Sequence, residues 1–143
     1  MKRLVLAISL AIMGGAQTAN AAVQSTGAVE QTVEGKKFAM LVQSVKSLRS
    51  AIMTATEIKQ ANPSAQFEIV IMGQMVQELT TDPALQEAYI TAEKYGVKLT
   101  VCEFAMKVYG ISMDAINPYI KGTPNAHKYL FQLQEKGYNT LSI

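Results

Sequence analysis

Cys102 is the only thiol and His127 the only imidazole in this 143-residue chain. A cysteine thiolate is a nucleophile and a metal ligand, and a histidine can serve as its base. Cys102 ends an apolar run, at the point where a helical pattern begins. A helix start offers unpaired N–H groups that favour a thiolate. Glu103 acts in the opposite sense, as an anion beside an anion. A buried, unreactive cysteine is the competing reading, and an intermolecular disulfide is a third. His127 stands in the first turn of the last helical segment, which is more often a surface position than a catalytic one. Gly73 ends another apolar run and allows a tight turn.

Other chemistries lack their residues. A lone cysteine excludes an intrachain disulfide framework and a multi-cysteine zinc site. One Cys and one His offer too few soft or borderline ligands for a transition metal. There is no GxGxxG, and no GxxxxGK followed by Ser or Thr, so no dinucleotide or phosphate loop is signalled. No metal and no organic cofactor are expected.

The first 21 residues carry an export signature. Lys2 and Arg3 precede an apolar stretch from Leu4 to Ala16, and Ala19-Asn20-Ala21 follows as a small-residue cleavage site. The stretch is shorter than the roughly 20 apolar residues of a membrane span, and no lipoprotein cysteine follows it. Cleavage after Ala21 takes the 13 basic residues to 11, equal to the 11 acidic ones. A neutral chain without a basic run is a poor nucleic-acid binder. A periplasmic protein, with no membrane contact after cleavage, is the expectation. Hydrophobic residues at 49% and charged residues at 17% exclude a disordered chain.

The remainder must position the candidate residues. Residues 22–35 read as a flexible lead-in, and 36–143 as a single domain. Phe38–Val42, Phe67–Met72 and Val97–Cys102 are short runs rich in branched residues, which predict strands; the third alternates more cleanly, and Thr140–Ile143 is a weak fourth. Val45, Leu48, Ile52, Ala55 and Ile58 recur at helical spacing, and that helix ends near Asn62-Pro63. Asp82-Pro83 predicts a helix start, with Leu85, Ala88, Tyr89, Ala92 and Tyr95 on one face and Gly96 as the stop. A short helix follows Cys102. Thr123-Pro124-Asn125 opens a final helix, with Ala126, Tyr129, Leu130 and Leu133 on its face and Gly137 at its end.

Alternation of strand and helix with such apolar strands predicts an α/β fold, a parallel sheet covered on both faces. Sites in open sheets gather beyond the strands' carboxyl ends. That rule selects Gln43-Ser44, Gly73-Gln74 and Cys102-Glu103. Of the six methionines after the signal, most read as core fillers, with Met75 and Met106 as candidates to line a pocket.

Several blocks resemble the DsrE/DsrF/TusD-like proteins. Phe67-Glu68-Ile69-Val70-Ile71-Met72-Gly73 resembles that family's second strand and following glycine. Gly96-Val97-Lys98-Leu99-Thr100-Val101-Cys102-Glu103-Phe104-Ala105-Met106-Lys107 is similar to its cysteine block. Pro124-Asn125 and Leu133-Gln134-Glu135-Lys136-Gly137-Tyr138 are similar to its closing helix. The resemblance spans Lys36 to Ile143. It implies a three-layer α/β/α sandwich with a mostly parallel sheet of about five strands, assembled as a homo-oligomer, trimer or hexamer. It also implies that Cys102 carries a persulfide between a sulfur donor and an acceptor thiol, with Gly73 and Asn125 in the substrate pocket. The alternative is a non-catalytic oligomeric binding module in which Cys102 is structural.

Overall fold

A computed structural model of the chain describes residues 33–143. The expected signal peptide, 1–21, and most of the expected lead-in, 22–32, lie outside the described residues.

The chain first enters strand β1 (Lys37–Val42), whose residues from Phe38 onward are buried. Ser44 then caps helix α1 (Val45–Ala61): its Oγ accepts from the Ser47 N–H at 3.0 Å, satisfying one orphan donor of the first turn. Leu48, Ala51, Ile52 and Ala55 form the buried stripe of α1. Pro63 disfavours helical geometry at Asn62, and the helix stops there. Strand β2 (Gln66–Ile71) lies parallel to β1, with Phe38 opposite Phe67 and their rings stacked at 6.0 Å.

After β2 come a 3-10 turn at Gly73–Gln77, a one-turn helix α2 (Glu78–Thr81) and helix α3 (Leu85–Lys94). The start of α3 differs from the sequence expectation. Asp82 Oδ1 accepts from the Ala84 N–H at 2.8 Å, so it closes the turn through Pro83, and Ala84 holds the cap position. Leu85, Tyr89 and Ala92 are the buried face of α3.

Strand β3 (Lys98–Cys102) is buried from Leu99 through Cys102. The expected polar alternation is absent because both faces of this strand are covered, and Thr100 is buried beside its apolar neighbours. Helix α4 (Glu103–Val108) follows directly, then a 3-10 turn at Met113–Ala115 and strand β4 (Lys121–Thr123). β4 was not readable as a strand: it has only three residues, and Lys121 and Gly122 are exposed. Helix α5 (Ala126–Glu135) and strand β5 (Asn139–Ser142) complete the described chain.

The sheet has the order β4-β3-β2-β1-β5, and every neighbouring pair is parallel. The connections from β1 to β4 step in one direction, and the last one returns across the sheet. Right-handed crossovers therefore place α1 and α3 on one face and α5 on the other. Side chains of β2 agree with this. Phe67 lines a cavity together with Ile58 of α1, whereas Glu68, pointing to the opposite face, meets Tyr129 of α5. The result is an α/β/α sandwich around a five-stranded sheet. No helix among the described residues is long and apolar enough to cross a membrane.

Candidate functional site

The carboxyl ends of β2 and β3 are adjacent, because the two strands pair through Ile71 and Val101. Each end delivers one candidate residue. At the end of β2 the backbone turns at Gly73, whose φ is +76°. That left-handed geometry is open to glycine and strained for most other residues. At the end of β3, Cys102 occupies the cap position of α4 with an extended backbone, and its side chain makes no capping hydrogen bond. The thiol is free, and the residue is only 4% exposed.

The third wall comes from α5. Asn125 is its N-cap, with Oδ1 accepting from the Lys128 N–H at 3.0 Å. Gly73, Cys102, Asn125 and His127 line one cavity of about 320 Å³, together with Met72, Phe104, Ala105, Val108 and Tyr109. The three residues proposed for the site from sequence thus lie together, and His127 joins them. The lining is mostly apolar, with Asn125 and His127 as its nitrogen donors. Phe104 and Val108 flank the opening and are 66% and 60% exposed.

Other residues expected at this rim are elsewhere. Gln43, Ser44, Gln74 and Met75 border a neighbouring depression of about 280 Å³. Met106 is buried in the core rather than in the cavity wall, and Met72 takes the place expected of it. Glu103 directs its side chain toward β4, where it covers Gly122. A larger groove of about 520 Å³ lies between α1 and α3, bordered by Arg49, Met53, Glu57 and Glu87. Its lining has threonines and glutamates but neither a thiol nor an imidazole, so the cavity of Cys102 is the better chemical candidate. Among the described residues, no three His, Cys, Asp or Glu side chains gather into a metal-binding group.

A polar cluster lies on the same face of the sheet. Glu68, only 2% exposed, uses Oε1 to accept from the Thr100 hydroxyl at 2.7 Å and from the Tyr129 hydroxyl at 2.6 Å. Burial pushes the Tyr129 hydroxyl up to about 12, aided by its hydrogen bond to Glu68 and that residue's charge. Burial and the same carboxylate also raise Tyr138. The sequence signal for this cluster is a glutamate within an otherwise apolar strand.

Three comparisons complete the description. A model described as the DsrE/DsrF-like family matches residues 10–143. Among curated proteins no match is found. Solved structures with the same fold include protein MTH1491 of unknown function from Methanobacterium thermoautotrophicum and the ychN protein from E. coli. Each is 12% identical with a TM-score of 0.63, and each alignment covers 76% of this chain and 100% of the other. The conserved protein of unknown function BT1422 from Bacteroides thetaiotaomicron is 18% identical, with a TM-score of 0.63 over 76% of this chain and 95% of its own.

Proposed function

The chain belongs to the DsrE/DsrF-like family, and from that membership we propose that it carries sulfur as a persulfide on Cys102. Membership supports a sulfur-relay-related function. The observation that carries the finer reading is the placement of the sole cysteine in a cavity at the carboxyl end of β3.

The chemistry needs only thiols. The Cys102 thiolate attacks the outer sulfur of a donor persulfide. The donor S–S bond breaks, its electron pair leaves with the donor thiolate, and a new S–S bond forms on Cys102. An acceptor thiolate then attacks the outer sulfur of the Cys102 persulfide, and Cys102 leaves as thiolate. Each transfer is redox-neutral, so no metal or organic cofactor enters. In this reading Asn125 and His127, which line the cavity, orient the incoming sulfur species. Gly73 contributes the tight backbone turn that borders the cavity.

The protein acts in the periplasm after cleavage of residues 1–21, as a homo-oligomer of three or six chains. The exposed Phe104 and Val108 beside the cavity are suited to burial against another chain. Neither a nucleic acid nor a membrane is a partner in this reading.

Intact-mass spectrometry after exposure to a low-molecular-weight persulfide tests the reading. The expected result is a gain of one sulfur mass on the native protein and none on Cys102→Ser. Absence of the adduct on the native protein overturns it. The burial of Cys102 favours a second reading, a binding module with a structural cysteine. In that reading native Cys102 is inert to iodoacetamide and reacts only after unfolding.

A further inference from the structure

We infer that Glu68 is a positioning residue for the Cys102 cavity, acting through Tyr129 and Thr100. Its carboxylate holds together the three elements that end in the cavity wall. Glu68 belongs to β2, Thr100 to β3 and Tyr129 to α5, and one oxygen, Oε1, accepts from both hydroxyls. Each tether lies close to a wall residue. Thr100 is two residues before Cys102 and therefore on the same face of β3. Tyr129 is one helical turn after Asn125, with its N–H donating to the Asn125 carbonyl at 3.0 Å. β2 itself runs into Met72 and Gly73.

Apolar burial holds α5 through Ala126 and Leu133, which are buried, and through Tyr129 and Leu130, which are partly buried against the core. Ala126 and Leu133 lie seven positions apart on one stripe, and Tyr129 falls between them. An apolar contact there would tolerate sliding of the helix over the sheet. A hydrogen bond to a buried carboxylate fixes both distance and direction, because leaving that carboxylate unpaired is costly. An uncompensated carboxylate is a poor choice within an apolar strand such as Phe67-Glu68-Ile69. Its presence is explained if it sets the seat of α5, and with it the positions of Asn125 and His127 over Cys102.

The experiment reads access to the Cys102 thiol by native iodoacetamide alkylation, in the full chain at one pH, beside urea unfolding of each variant. Tyr129→Phe removes one tether, and the expected alkylation rate rises about tenfold, the equivalent of one lost hydrogen bond to a charged group. Glu68→Gln keeps an acceptor oxygen in place but removes the charge that strengthens both bonds, and it is expected to react at a rate between those of the native chain and Tyr129→Phe. Tyr138→Phe is the control. It removes a bond of 2.8 Å to Gln66 of β2, made from beyond the other end of α5, and is expected to leave the rate unchanged.

The triple variant Glu68→Leu/Thr100→Val/Tyr129→Phe covers the case in which a single change fails to fold. Replacing all three partners by apolar groups leaves no buried hydroxyl or carboxylate unpaired and keeps stability near that of the native chain, yet the alkylation rate is expected to stay raised. Equal rates in Tyr129→Phe and Tyr138→Phe overturn the inference, as does a native rate in a stably folded triple variant. Persulfide formation is not part of the readout, so failure of the proposed function leaves this result standing, and the reverse also holds.

Discussion

The side chain of Glu103 lies across Gly122, so that a β-carbon on the glycine would stand 2.9 Å from Glu103 Cδ and 3.0 Å from Cγ. The relationship joins the first residue of α4 to the middle of the edge strand β4. It also takes the carboxylate next to Cys102 out of the cavity wall, which is lined by Phe104 and Ala105 instead. A double-mutant cycle measures this contact. Gly122→Ala is expected to cost about 1 kcal/mol in urea unfolding, as for mild overpacking. In a Glu103→Ala background the same change is expected to be neutral or slightly stabilising, since alanine restricts the unfolded chain. Equal effects in the two backgrounds would show that the two residues are uncoupled.

Gly73 makes the turn between β2 and the 3-10 segment with φ +76°. A β-carbon there meets only the Gln43 side chain, at 3.6 Å, an ordinary contact. The cost of Gly73→Ala is therefore conformational, about 1–2 kcal/mol from left-handed backbone strain. Gly73→Asn is expected to lose less, because asparagine tolerates that region better. Chemical denaturation of the two variants distinguishes strain from crowding: crowding would make the larger Asn the worse substitution.

Tyr89 is 1% exposed, and its hydroxyl has no hydrogen-bond partner among the described residues. A buried unpaired hydroxyl destabilises the folded chain, so its removal should help. Tyr89→Phe is expected to raise unfolding free energy by about 1 kcal/mol. The urea midpoint should move up with an unchanged denaturant slope. A lowered midpoint would mean that the hydroxyl is satisfied.

Alkaline stability follows from the same tyrosine and from Tyr129. Burial pushes both up to about 12, from an ordinary value of 10.0, with Asp82 contributing at Tyr89 and Glu68 at Tyr129. The folded chain then holds more protons than the unfolded chain between pH 10 and 12. Stability is complete below that window and falls as pH rises through it. Unfolding free energies measured from pH 9 to 12 should show this decline (an interval set by the ordinary tyrosine value of about 10). Tyr129→Phe should flatten it, and an unchanged slope in that variant would count against the assignment.

Much of the scaffold was legible because local rules and tertiary demands coincide. The branched runs at Phe38–Val42 and Phe67–Met72 form central strands of the sheet, and the 3.6-residue stripe of Leu48, Ile52 and Ala55 is the buried face of α1. Asn125 caps α5 as its residue type implies. Where sequence and structure part, a non-local term decides. β4 exists because it extends β3 in register, with Thr123 opposite Cys102, and not because Lys121-Gly122-Thr123 favours a strand. Asp82 closes a turn rather than capping α3.

For the site, sequence alone determined the chemistry available: one thiol, one imidazole, and a glycine at the end of a strand. Those follow from residue type and from local periodicity, which act over a few positions. Only the tertiary structure decided which of these groups meet. Asn125 and His127 share a cavity with Cys102 because the last crossover returns α5 over the sheet. Glu68 finds Tyr129 across 61 residues for the same reason. Such encounters depend on strand order and crossover hand, which are set when the whole core closes and leave no periodic trace in the chain.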